Sequence, residues 1–160
     1  MIRFGTGGWR AVIGEDFTRE NVRRVAAGIL ALMREQGKAD RPVVIGYDRR
    51  FLSEPAARWT AEVLAAGGVD VWFMNRSAPT PLVMFTVMNR GLHYGIEITA
   101  SHNPARYDGV KLVVAEGRDA PPETTRRVEE LVDALPAGKP DFLPFDPGIE
   151  HKADRPADAA

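Results

Sequence analysis

The stretch TASHNPARYDG, residues 99–109, decides how this chain is read. YGIEI precedes it and VKLVV follows it, and both are apolar runs short enough to be buried strands. Strand-end connections are normally filled with Gly, Asn, Asp and Pro. This one also sets Ser101 and His102 together, directly after the strand and ahead of Asn103-Pro104. It is either an ordinary turn or a reactive serine held at a strand end.

Outward from that loop, strand and helix patterns alternate. Thr18 is placed to cap TRENVRRVAAGILALMREQG, where Val22, Val25, Ala26, Ile29 and Met33 share a face and Gly37 ends the helix. PVVIGYD, from Pro42 to Asp48, is a continuous apolar run of the kind that becomes a strand covered on both faces. Ser53 is expected to cap SEPAARWTAEVLAAGG, with Pro55 in the first turn and Gly67-Gly68 closing it. VDVWFM reads as a further strand, and Thr80-Pro81 opens an apolar helix ending at Gly91. PETTRRVEELVDAL supplies the last helix, with Val128, Leu131, Val132 and Leu135 inward. The alternation predicts an α/β fold, a three-layer αβα domain over 1–135 with a mixed, largely parallel sheet. In such sheets ligands gather beyond the carboxyl ends of strands, which is where the serine loop lies. From Pro136 the chain turns rich in Pro, Asp and Ala without periodicity, so 136–160 reads as a linker or disordered tail.

Composition narrows the function classes. The 160 residues suit one domain, and 44% hydrophobic with 27% charged residues is ordinary for a globular protein. A net charge of -1 gives no basic excess to favour nucleic acid. With no cysteine, disulfides and thiolate metal sites are excluded, and a cytoplasmic setting is the natural expectation. MIRFGTGGWR lacks a signal-peptide core, and charges interrupt every apolar stretch, so no membrane association is expected.

A serine hydroxyl needs a base or a metal to become a nucleophile. The G-x-S-x-G elbow of many hydrolases is absent, since Ala100 and His102 flank Ser101. The other histidines, His93 and His151, lie before a strand and in the tail, so a Ser-His-Asp triad has little support. The loop suits phosphate better. Asn103 and turn N–H groups can donate to anionic oxygens, and Lys111 can return along the next strand to the same site. GTGGWR, residues 5–10, adds glycines that let backbone approach an anion, and Arg10 for charge-assisted bonds. Each of these also has a plain structural reading. Ser101, Asn103-Pro104, Gly5, Gly7 and Gly8 would serve as turn formers, and His102, Arg10 and Lys111 as solvated side chains. Arg49-Arg50 reads as an exposed pair whose Arg50 also holds loop shape, and Trp9, Trp59 and Trp72 as core.

FGTGGWRAVIGEDFT, GYDRRFLS, APTPLVMF and TASHNPARYDGVK together resemble the N-terminal domain of the α-D-phosphohexomutases, the phosphoglucomutase/phosphomannomutase family. TASHNP is similar to that family's phosphoserine signature. The resemblance implies that Ser101 carries a phosphoryl group, that His102 orients it, and that Arg10 and Lys111 flank it. Thr6, Gly8 and Asn103 are the positions expected to contact phosphate or substrate. It implies a reaction that interconverts hexose 1-phosphate and 6-phosphate through a hexose 1,6-bisphosphate, which also acts as activator. Mg²⁺ would be held by a phosphoserine oxygen of Ser101.

The chain also departs from the family. It lacks a D-G-D-x-D-R metal loop, a G-E-x-S-G sugar loop and the C-terminal Arg/Ser/Thr-rich phosphate loop, and Ala11 stands where Gly is common. Little mutase activity is therefore expected of these residues alone. The missing family domains would come from the same gene product or from a partner chain. A phospho-regulated binding module without catalysis is the third reading.

Overall fold

The computed structural model describes residues 1–142 and the backbone of 155–156. Eleven elements follow in chain order. They are β1 (Gly8–Val12), α1 (Arg19–Glu35), β2 (Val43–Tyr47), α2 (Ser53–Ala66), β3 (Val71–Phe73) and α3 (Thr80–Asn89), then β4 (Tyr94–Ile98), β5 (Tyr107–Val114), β6 (Arg118–Asp119), α4 (Pro122–Asp133) and β7 (Arg155–Pro156). Sheet order is β1-β5-β4-β2-β3-β7, with β6 continuing the β1 edge of β5. Pairing is parallel from β4 through β2 and β3 to β7, and antiparallel among β1, β5, β4 and β6. The sheet is thus mixed, its antiparallel half created by the hairpin that carries the serine loop.

Both β2 and β4 are buried at every position, which explains their continuous apolar reading. One face takes α3, whose Val83 and Val87 pack where side chains on Gly46 and Gly95 would stand. The other face is covered by α2, with α1 packed against α2 and α4. Trp9 and Phe17 stack at 5.4 Å and close that core beneath β1. Trp9 is core as expected, whereas Trp59 and Trp72 are half-buried and pack against its margin.

Thr18 caps α1, its hydroxyl accepting from the Asn21 N–H at 3.2 Å, an interaction generally worth about 1 kcal/mol. The expected cap at Ser53 does not form. Leu52 occupies the cap position without a side-chain bond, because the Ser53 hydroxyl is drawn to two carboxyl groups. Three strands have no counterpart among the expected elements, one of them β7, which lies in the stretch expected to be linker or tail and pairs with β3. GWRAV reads as part of a glycine-rich turn, yet its five residues complete the β5 edge, and β6 is only two residues long. In α4 the fully buried residues are Thr125, Val128 and Val132, with Leu131 and Leu135 half-exposed at its margin.

Residues 136–142 leave α4 and pass the α1–α2 groove, where the Phe142 ring lies 3.6 Å beneath the Arg23 guanidinium. The remainder of the expected linker or tail, 143–154 and 157–160, falls outside the described residues, as does His151. No helix among the described residues is long and apolar enough to cross a membrane.

Candidate active site

The hairpin between β4 and β5 lifts Ser101 to the surface at the carboxyl end of β4. Its backbone is left-handed, with φ of 54°, one of two non-glycine residues so placed among those described. For an L-residue that geometry costs on the order of 1–2 kcal/mol and persists only where the surroundings enforce it.

Arg50 is the enforcing group. Its Nη1 donates to the carbonyls of Pro104 (2.9 Å) and Tyr107 (3.0 Å), and its Nη2 to those of Ser101 (2.7 Å) and Asn103 (2.8 Å). Its Nε donates to Asp48 Oδ2 at 3.2 Å. All three nitrogens of the guanidinium are engaged, so the loop is wrapped around a rigid fork that no other side chain supplies. Asp48 holds the fork and the loop together. It accepts from the Arg50 N–H (2.9 Å), the Ser53 hydroxyl (2.6 Å) and the Thr99 hydroxyl (2.7 Å), and Thr99 Oγ1 in turn accepts the Ser101 N–H at 3.0 Å. Arg50 is expected from the sequence to hold loop shape, and the loop it holds is the serine loop itself.

The expected site residues fall in two groups. Ser101 and His102 are exposed and Asn103 is half-buried on the loop, while Arg10 stands on β1 opposite Gly109, beside the loop's base. Lys111, two residues further along β5, pairs with both Gly8 and Glu97. Strand alternation puts Arg10 and Lys111 on the same face as diagonal neighbours. Lys111 Nζ contacts Asp119 Oδ1 at 2.9 Å. Thr6 is exposed in the turn that leads into β1, near Ala120 and Arg126 and away from the serine loop. A Cβ on Gly8 would approach Val110 O to 2.9 Å, so close sheet packing by itself demands glycine there. For a similar reason Gly109 is pinched between the carbonyls of Trp9 and Thr99.

Two buried carboxyl groups lie outside the sequence expectations. Asp108 is fully buried, and burial pushes its carboxyl up to about 6, Asp48 adding to the rise while the Gly109 N–H, Ser53 and Arg50 oppose it. Glu97 is fully buried, and neither carboxyl oxygen is hydrogen-bonded to any of the described residues. Desolvation, and then the charge of Asp48, push it up to about 9 against the pull of Lys111. At neutral pH Glu97 is therefore an uncharged acid, and it leaves the positive charge of Lys111 intact. One signal was available for Glu97, a lone charge inside a continuous apolar strand. Nothing in the linear sequence ties Asp108 to Ser53.

Among the described residues no group of three or more His, Asp or Glu side chains could hold a metal ion. Asp48 is committed to Arg50 and Asp119 to Lys111, so these residues do not by themselves fit a Mg²⁺ site.

The family model for phosphoglucomutase/phosphomannomutase, α/β/α domain I, matches residues 1–138. A Staphylococcus saprophyticus phosphoglucomutase is 36% identical over 138 residues, 84% of this chain and 25% of the relative. A Saccharomyces cerevisiae phosphoribomutase is 33% identical over 139 residues, 83% of this chain and 22% of the relative. The crystal structure of a Thermus thermophilus protein, provisionally assigned as a phosphomannomutase, superposes with a TM-score of 0.79 at 36% identity, covering 91% of this chain and 33% of that one. The chain thus spans about a quarter of the length of the curated relatives it matches. By the matched residues and by its fold, the chain belongs to the phosphoglucomutase/phosphomannomutase family, as α/β/α domain I.

Proposed function

We propose that this domain presents Ser101 as the phosphoryl carrier of a mutase that interconverts hexose 1-phosphate and 6-phosphate. The observation that carries the reading is the exposed, left-handed Ser101 fixed through its carbonyl and its N–H by Arg50 and Thr99. Phosphoryl transfer asks a protein mainly for position and charge neutralisation, and Arg10 with Lys111 offers two positive charges on one face. In the step itself a bond forms between Ser101 Oγ and phosphorus while the bond from phosphorus to a sugar oxygen of the bisphosphate breaks. The serine proton passes to the departing sugar oxygen through a neighbouring base, for which His102 is the exposed candidate. Lys111, paired with Asp119, is equipped as a charge and not as that base.

The three missing loops would supply the metal site, sugar choice and the grip on the second phosphate, either from further domains of the same gene product or from a partner chain. Mg²⁺ would supply Lewis-acid polarisation of the phosphoryl group there. An exposed apolar stripe on α3, formed by Leu82, Phe85 and Met88, is the feature expected of a domain that packs against further protein. The test is complementation. The chain alone should show no turnover of glucose 1-phosphate, and addition of a fragment bearing the three loops should restore it. Restoration with Ser101→Ala in place of the wild type would refute the reading.

A further inference from the structure

The hydrogen bonds under the serine loop do not balance if every acid there is ionised. Ser53 Oγ lies 2.6 Å from Asp48 Oδ1 and 2.9 Å from Asp108 Oδ2. A hydroxyl has one hydrogen and can donate to only one of them. With two carboxylates, the other contact would set oxygen lone pairs against each other inside the protein, where an unpaired charge is most costly. One further proton must sit on an acid.

The surroundings decide which acid holds it. Asp48 forms the ion pair with Arg50 and is the acceptor for the Arg50 N–H and the Thr99 hydroxyl as well. Asp108 is fully buried; among the described residues its Oδ1 accepts from the neighbouring Gly109 N–H alone, at 2.8 Å, and its Oδ2 meets the Ser53 hydroxyl.

We propose that Asp108 is a positioning residue that acts through this proton. Asp108 Oδ2–H donates to Ser53, Ser53 donates to Asp48, and Asp48 holds Arg50 and Thr99, which hold Ser101. The role assigned to the loop rests on Ser101 being the phosphoryl carrier, but the proton chain does not. Loss of the Asp108 proton frees Ser53 to turn toward Asp108, which removes one of the contacts that fix the Asp48 carboxyl group and lets it shift together with Thr99 and the Ser101 N–H it holds.

The groups around Asp108 agree with this placement. Asp48 faces it from the β2–α2 connection and disfavours its ionisation, Arg50 from the same connection favours it, and desolvation outweighs both. From β1 the residue in register is Ala11, which bears no charge. Glu97 of β4 senses the charge of Asp108 but is itself uncharged at neutral pH.

The experiment is an NMR titration of this chain from pH 4 to pH 8, following the Asp108 carboxyl carbon and the Ser101 amide. The expected result is one shared midpoint above the ordinary aspartate range. In Asp108→Asn the amide can donate to Ser53 while its oxygen keeps the Gly109 N–H. The Ser101 amide should then stay at its low-pH position, with the titration lost. A Ser101 amide that does not move as Asp108 titrates, or an Asp108 midpoint in the ordinary range near about 4, overturns the proposal. The wild-type titration alone decides it if the variant does not fold. Phosphorylation of Ser101 is read separately by mass spectrometry, so a serine that never takes phosphate refutes the functional reading and leaves this one to the titration.

Discussion

Glu97 is the residue whose behaviour follows most directly from its surroundings. It is fully buried in β4, beneath α3, with both oxygens unpartnered among the described residues and its carboxyl pushed up to about 9. An acid whose folded value is raised above its unfolded value near 4.5 stabilises the fold most below the unfolded value. That advantage is lost as pH rises toward 9. Below about pH 4.5 both states hold the proton and nothing is lost. At pH 7 the unfolded chain has released it and the folded chain has not, which at about 1.4 kcal/mol per pH unit costs roughly 3 kcal/mol. Glu97→Gln keeps the size and removes the ionisation. The urea-derived stability of the variant should therefore gain on wild type by about 3 kcal/mol between pH 5 and pH 7, and by more at pH 9. Other titrating groups, Asp108 among them, are common to both chains and cancel to first order. A stability gap that stays flat across this range would show that Glu97 is charged or solvated. Glu97 would then be a second carboxylate beside Lys111, which already pairs with Asp119.

Arg50→Lys should loosen the serine loop, since an ammonium cannot reach four carbonyls and Asp48 together. A loss of about 2–4 kcal/mol is expected, with faster proteolysis within 101–107, and unchanged cleavage would contradict the assignment. Gly109→Ala drives a methyl group into the carbonyls of Trp9 on β1 and of Thr99 just past the end of β4. Neither strand can yield without breaking the β1 and β4 pairings, so a loss of at least about 2 kcal/mol is expected in thermal unfolding. A variant as stable as wild type would mean that β5 is not clamped as described.

Local patterns in the sequence carried the elements whose causes are local. Thr18 announces α1 because its hydroxyl meets an N–H three residues on, and VVIGY announces β2 because both faces are covered. GWRAV escaped because an arginine and a preceding glycine turn look like loop, and its strand character comes only from pairing with residues about a hundred positions away. Ser53 was misassigned for the same kind of reason, as its hydroxyl answers to Asp48 and Asp108 and not to its own helix. The site divides in the same way. Ser101, His102 and Asn103 stand in one contiguous motif and could be read directly. Asp48 and Ser53 come from one segment and Thr99 and Asp108 from another about fifty residues on, at the two ends of the serine loop, and only the folded chain shows them as one network.

The claim on which the account turns is that Ser101 accepts phosphate. Intact mass spectrometry after incubation with glucose 1,6-bisphosphate and Mg²⁺, with the complementing fragment present, tests it directly. Wild type should gain the mass of a single phosphoryl group, mapped to the peptide containing Ser101, and Ser101→Ala should gain nothing. A wild-type chain that stays unmodified, or a Ser101→Ala chain that is phosphorylated equally, would contradict it.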